Sequence, residues 1–471
     1  MLNMRFMLLL AGLLLGSRAT FSQTPYQYTL AVNDAKAPAT VLFGYWRTGQ
    51  SYIIDSAKVD SLHTVARFEG KRDLHAGLYF FTTGSKQPLD FVINGEYQMD
   101  FTTSIQAPLD SFKVKKSVEN EPFFLWLKSV REREARLEMM RNALGLLQKA
   151  TRERDVLEKQ ANSIRLTREE GETEARNLPK KYPGLLFPVI IASNAAPEIP
   201  AHIRPFNADG SVNQIYMQYF RTHFWDHYVF TDERLLQTPV LAQKVDQWLQ
   251  IQPGQLDSVK ANLDALIQKS SVSLKTRQAL LRQIMARFDE PSYGGNETMF
   301  VYMFDQYYPS ATAVGIDTAV WMRVEFKANA YRPTLPGKIA PDFQLPDQNG
   351  QTQSLHGQKA RYTLLYFFNP KCSSCYKLTP QVYQQTLPWQ SKGIKVLAVS
   401  TEANLEDWKK YVSENVPEWT CLIESENPSP LEKIYATHTL PNLMLLDQDK
   451  KILVRRLPIQ DLPKVLQGLA E

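Results

Sequence analysis

Cysteine is scarce in this chain. Three residues in 471 carry a thiol, Cys372, Cys375 and Cys421. That is too few for a disulfide-built scaffold, so cysteine chemistry must rest on the pair at 372 and 375. Histidine is rare too, with seven copies. A zinc site on the cysteine pair would need two more ligands. Downstream only Cys421 and His438 are available, each alone, so structural zinc is not expected. A dense basic patch is also missing. The net charge is +5, which argues against nucleic acid as a main partner. Long apolar runs are absent as well. The longest, Phe6 to Gly16, has about ten residues, half of what a membrane-spanning helix needs. It follows a short basic start, Met1 to Arg5, and precedes Thr20-Phe21-Ser22. This pattern reads as a processing leader over 1–22, cleaved near Ser22, which implies an exported, periplasmic or outer-envelope protein. The alternative is an uncleaved anchor. Without the leader's Arg5 and Arg18, the charge of +5 falls to about +3. No cysteine nearby offers a lipid attachment point.

What is present is ordinary globular material. The chain is 44% hydrophobic and 22% charged, with length for two to four domains. Its one concentrated piece of chemistry is Cys372-Ser373-Ser374-Cys375. An apolar strand, Tyr362 to Phe368, leads into it, Asn369-Pro370 breaks that strand, and a helix is expected to open there. A helix start offers unpaired N–H groups and a partial positive charge, both of which favour an anion. Lys371 adds a full charge next door. Cys372 is therefore expected to be the thiolate nucleophile, with Ser373, Ser374 and Lys371 tuning it. Cys375, one turn further in, is placed to resolve a mixed disulfide formed on Cys372. No cofactor is called for, because the two thiols carry the chemistry.

The surroundings add to this reading. Pro380 sits inside the expected helix, five residues after Cys375, where proline removes a hydrogen bond. Thr439-Leu440-Pro441 precedes a further apolar strand, Asn442 to Leu446. With these residues, 338 to 471 resemble the thioredoxin fold in its extracytoplasmic TlpA-like and ResA-like branch. The segment Gly337 to Phe343 resembles the entry into that branch. The resemblance implies that Pro441 is a cis-proline facing the cysteine pair. It also implies that the backbone of Leu440 pairs with a bound peptide and that Pro441 keeps metal off the thiols. Relatives in this branch are mostly reductants outside the cytoplasm. The resemblance thus implies disulfide-containing proteins as substrates and a membrane electron donor.

The sequence departs from the family at three places. A buried acid six residues before the first cysteine is replaced by Tyr366. The tryptophan before that cysteine is Lys371. The acid three residues after the second cysteine is Leu378. The proton acceptor for Cys375 is therefore unassigned. Glu402, after strand Ile394 to Ser400, is a candidate, against its reading as a solvated loop carboxylate. Peroxiredoxins resemble this subgroup, but their proline and threonine fall here at Leu365 and Asn369, which argues against a peroxidase.

Taken in order, residues 23–112 read as a β-sandwich-like domain of six or seven strands. Tyr28 to Val32, Thr40 to Tyr45 and Leu78 to Thr82 are among them. Asn94-Gly95 predicts a hairpin between Phe91-Val92-Ile93 and Tyr97 to Phe101. Tyr45, Trp46, Tyr79, Phe80 and Phe81 form either a binding face or core, and core is the expectation. Residues 113–330 read as an all-α domain. Asn120 to Asn177 predicts one long helix or a hairpin of two, with Leu137, Met140, Leu144 and Leu147 at coiled-coil spacing. That seam serves either a homodimer or packing within the chain. Helices follow near 238–250, 255–269, 273–288, 300–308 and 317–330, and Glu290 to Asn296 reads as a turn. The region resembles the uncharacterised helical domain found beside such thioredoxin-like domains. His223 and His227 flank Asp226 at a metal-ligand spacing without a third ligand, so structural residues are expected.

Residues 331–471 then form an α/β thioredoxin-like domain, with a hairpin turn at Asp347 to Gly350. Cys421 falls in a strand, where a cysteine is usually a small buried hydrophobe rather than a third redox thiol. The reading is an exported thiol–disulfide oxidoreductase that reduces protein disulfides. Two alternatives stand beside it. One is a disulfide oxidase or isomerase with the same residues. The other is a partner-binding protein with an auxiliary thioredoxin domain.

Overall fold

The computed structural model describes residues 25–34, 38–82, 87–150, 153–207, 209–289, 296–401, 404–424, 430–437 and 439–469. The expected leader, Glu402, His438 and nearly all of the turn at 290–296 lie outside the described residues. The chain divides into two compact units. One holds residues up to Glu174 together with Leu178–Val189, and the other holds Ala175–Asn177 together with Ile190 onward. Among the described residues, no helix is long and apolar enough to cross a membrane.

The first unit begins with eight strands: β1 (Tyr26–Val32), β2 (Ala39–Arg47), β3 (Gln50–Val59), β4 (Val65–Gly70), β5 (Gly77–Thr82), β6 (Leu89–Ile93), β7 (Gln98–Thr103) and β8 (Lys113–Lys115). They form two four-stranded sheets, ordered β4-β1-β7-β8 and β3-β2-β5-β6. Alternate residues of each strand point to one face. Tyr28, Leu30 and Val32 of β1 therefore share a core with Phe43, Phe81, Phe91 and Phe101 from both sheets. The rings of Phe81 and Phe91 lie 4.7 Å apart, as do those of Phe91 and Phe101. This is the expected sandwich. Tyr79, Phe80 and Phe81 are buried as core, and half-buried Trp46 donates to the Asp90 carboxylate at 2.9 Å.

One expectation fails here. Asn94-Gly95 does turn the chain, with Gly95 at φ 85°, but the strands it joins are not a hairpin. β6 pairs with β5, whereas β7 crosses to the other sheet and pairs in parallel with β1. Phe91 and Phe101 then face each other across the core instead of lying side by side. Burying both rings outweighs the local preference of the turn.

The stretch expected as one long helix or two is two, Asn120–Ala150 and Arg154–Lys181. They fold back on each other. Arg133 reaches Glu174 at 2.5 Å, and Gln160 donates to the Met140 carbonyl at 3.2 Å. The first helix is anchored on the sandwich by Asn120, which accepts from Val92 N–H and donates to Val92 C=O.

In the second unit, helices at Val240–Gln250, Leu256–Lys269, Leu274–Phe288, Asn296–Tyr307 and Thr318–Tyr331 occupy the expected windows. After them come β9 (Gln344–Pro346), β10 (Thr352–Ser354), β11 (Tyr362–Phe368), β12 (Ile394–Ser400), β13 (Thr420–Ile423), β14 (Asn442–Asp447) and β15 (Ile452–Val454). The last five form one sheet, ordered β13-β12-β11-β14-β15. β11 is its centre, parallel to β12 and antiparallel to β14. A central strand is covered on both sides, which explains its continuous apolar run. Leu364, Tyr366 and Phe368 face one layer with Trp408 and Val382; Leu365 and Phe367 face the other with Leu431 and Tyr435. This is the thioredoxin-like arrangement the sequence predicts.

A buried ion cluster joins this sheet to the helices before it. Arg455, just past β15, is fully buried and lies 3.1 Å from Glu297, itself 2% exposed. Arg455 also donates to the Thr334 hydroxyl at 3.1 Å and stacks on the Tyr331 ring at 4.5 Å.

Candidate active site

The cysteine pair sits where the central strand β11 gives way to the helix Ser373–Thr386. Asn369 shapes the junction. Its side-chain oxygen accepts the Lys371 N–H at 2.8 Å, and its carbonyl accepts the Cys372 N–H at 3.0 Å. Such a side-chain-to-backbone bond stops a strand and starts a turn. Cys372 is thereby set at the N-cap, with extended backbone angles of φ −75° and ψ 121°. Pro380 lies inside the helix.

The two thiols live in different surroundings. Cys372 is partly exposed and Cys375 is fully buried, and neither is in a disulfide. The Cys372 sulfur makes no full capping hydrogen bond, yet the first-turn amides of Cys375 and Ser374 favour its charged form. The Cys375 amide is the foremost cause holding that thiol below its ordinary range; burial opposes it, and the side chains of Cys375 and Ser374 assist. Burial pushes the Cys375 thiol the other way, up to about 12. One sulfur is thus biased toward its thiolate, while its neighbour is biased toward keeping its proton.

Of the expected tuning residues, exposed Ser373 opens the helix and exposed Ser374 acts directly on Cys372. Lys371 turns aside to Asp407, 3.4 Å away, in a pair more than half exposed. The helix amides, rather than that lysine, dominate the lowering. The Leu440–Pro441 bond is cis, as the resemblance implies, and Leu440 packs against the core cluster that holds Cys375. Cys421 is buried in the same cluster, its thiol raised by burial alone, which fits a packing role.

The positions where an acid was sought hold none. Leu378 is half-buried and Tyr366 is fully buried, its hydroxyl 2.9 Å from Thr379 Oγ1. Thr379 and Tyr411 were missed by sequence reasoning. Thr379 carried one usable signal, since it stands four residues after Cys375 on the same helix face. Tyr411 carried none, because only the tertiary fold brings its helix, Leu405–Asn415, against this site.

Elsewhere, His223 is tied to Asp226 at 2.6 Å and stacks on Tyr219, while Asp226 also takes Lys269 at 2.7 Å. His227 is half-buried and held below its usual range, first by burial and then by Arg176. Among the described residues, no group of three potential ligands could hold a metal ion.

A strand-to-helix cysteine pair and a cis-proline on a β13-β12-β11-β14-β15 sheet are joined by a sequence match over residues 336–455. Those residues match the AhpC/TSA family. Within this thioredoxin-like family, the chain resembles proteins named thiol-disulfide oxidoreductase ResA. The relative from Bacillus thuringiensis subsp. konkukian is 25% identical over 117 residues, a quarter of this chain and 66% of that protein. The relative from Geobacillus thermodenitrificans is 24% identical over 139 residues, 28% of this chain and 77% of that protein. The first of these is thus matched over just under two thirds of its length. A domain of a possible thiol-disulfide isomerase from Cytophaga hutchinsonii is 30% identical, covering 29% of this chain and 92% of that one, with a TM-score of 0.27. A thioredoxin-like protein from Bacteroides caccae is 20% identical, covering 58% of this chain and 98% of that one, with a TM-score of 0.49. Residues 158–319 match a domain of unknown function, DUF5106.

Proposed function

We propose that this chain is an exported thiol–disulfide oxidoreductase that reduces protein disulfides. The observation that carries the reading is the division of labour at the helix start. A partly exposed thiol favoured as thiolate stands three residues from a buried thiol held protonated. The names of the ResA relatives support the same chemistry.

The reaction follows from that division. The Cys372 thiolate attacks a substrate disulfide, forming a mixed disulfide and releasing one substrate thiolate. Cys375 then attacks the Cys372 sulfur, expelling the second substrate sulfur. The substrate gains two electrons and two protons, and the enzyme pair becomes a disulfide. A membrane electron donor would restore the dithiol. Leu440, packed against the cluster that holds Cys375, and Pro441 after it would receive the peptide flanking the substrate disulfide. Export rests on the leader composition of 1–22. The sandwich and helical modules would select the substrate, and the helix pair 120–181 would serve as a homodimer seam.

The deciding measurement is the reduction potential of the Cys372/Cys375 pair, titrated against dithiothreitol and glutathione, with Cys372→Ser as control. A value at or below about −220 mV supports a reductase. One between about −180 and −120 mV makes the protein an oxidase or isomerase. A pair that never closes removes the catalytic reading and leaves a partner-binding protein.

A further inference from the structure

Beneath the cysteine pair lies a small set of hydroxyls that the reaction above does not use. Cys375 and Thr379 project from one face of the active-site helix, four residues apart. Thr379 is fully buried and shares a hydrogen bond of 2.9 Å with Tyr366 on β11. Tyr411, from the helix Leu405–Asn415, is buried in the same cluster as Tyr366 and Cys375. Its hydroxyl lies near Thr379 but makes no hydrogen bond of ordinary geometry.

A buried hydroxyl without a partner costs stability, so its presence calls for an explanation. The titratable groups around it narrow the explanation. Cys375, Tyr376 and Cys421 act on Tyr411; Cys375, Tyr411 and Cys372 act on Tyr366. Burial, the Asn369 backbone and Cys372 are the main influences on Cys375, and among the described residues no carboxylate joins them. The charge that would arise here during turnover is the one on the Cys375 sulfur, as it attacks the mixed disulfide. A neutral donor held ready for that charge is unpaired at rest and paired in the transition state, which is the condition for lowering a barrier.

We propose that the Tyr411 hydroxyl, supported by the Thr379–Tyr366 pair, is a positioning donor that stabilises the Cys375 thiolate as it forms, in place of a buried carboxylate. The inference rests on the oxidoreductase reading above. Its balance is closed. Cys375 loses its proton and bonds to the Cys372 sulfur; the Cys372–substrate S–S bond breaks; the departing substrate sulfur takes the proton. The tyrosine gives a hydrogen bond and keeps its own proton.

The test uses the full chain and the aromatic disulfide dithiobis(nitrobenzoate), whose thiolate is coloured when released. The first release reports attack by Cys372, and the second reports resolution by Cys375. The readout is the ratio of the two rates, followed against pH. Tyr411→Phe is expected to slow the second release about tenfold relative to the first, the loss of one hydrogen bond to a charged group. Tyr366→Phe should give a smaller loss in the same direction. A purely structural Tyr411 predicts the opposite pattern. Removing an unpaired buried hydroxyl would then leave thermal stability equal or higher and the rate ratio unchanged. An unchanged ratio overturns the proposal, as does an equal loss from Glu402→Gln with none from Tyr411→Phe. If the unsubstituted protein shows no second release, the oxidoreductase reading itself fails, and this inference falls with it.

Discussion

The Arg455–Glu297 contact offers a sharp stability test, because both partners are buried. At a separation of 3.1 Å the attraction is about 5 kcal/mol for an effective dielectric near 20. The contact is an ion pair rather than a well-directed hydrogen bond. Burial lowers the Arg455 guanidinium to about 10, still charged at neutral pH. Glu297 also pairs with Arg456 at 3.4 Å, so removing its charge leaves two neighbouring cations unbalanced, with the Thr334 hydroxyl, the Tyr435 carbonyl and the Tyr331 ring still beside Arg455. The desolvation already spent is not returned, so breaking one partner of such a pair costs about 3–5 kcal/mol. Glu297→Gln, which keeps the volume, is the cleanest perturbation. At roughly 2–4 °C per kcal/mol for a domain this large, the melting temperature should fall by about 6–20 °C. Calorimetry on the full chain reads it. Asp305→Asn is the control on the same helix, since its pair with Arg332 is about two-fifths exposed and should be worth less than about 1 kcal/mol. If Glu297→Gln shifts melting no more than Asp305→Asn, the reasoning about buried charge is wrong.

Two further outcomes follow from the geometry. Alkylation by iodoacetamide should reach Cys372 first, with its rate falling as pH drops through a midpoint below the ordinary thiol range, because only the thiolate reacts; Cys375, at about 12, and buried Cys421 should label only after denaturation, as mass spectrometry of digested peptides will show. Gly44→Ala should destabilise the sandwich by roughly 1–3 kcal/mol in urea unfolding, because the added carbon would lie 2.5 Å from both the Phe80 ring and the Tyr52 carbonyl, and the latter is backbone that cannot step aside.

Much of the active site was legible from residues 362–375 alone. An apolar run too continuous for an edge strand, a polar break and two cysteines one turn apart are local signals, and local signals survive into the fold. The Asn94-Gly95 turn shows where such signals stop. Turn chemistry fixes a reversal of direction but not the sheet that the next strand joins, which depends on where Phe91 and Phe101 bury. Tyr366, Thr379 and Tyr411 were illegible together because they come from a strand and two different helices. Glu297 and Arg455 are further apart still, and nothing in either neighbourhood announces a partner.

The place of β1 has a consequence in time. It lies inside its sheet, between β4 and β7, and its Thr29 meets Asp100 across a separation of 71 residues. As the chain emerges in order, its first strand has no neighbour on one side until β7 appears. Such long-range pairing is slow to form, since loop closure must precede its reward. Strand order alone thus holds the sandwich open until its seventh strand has been made.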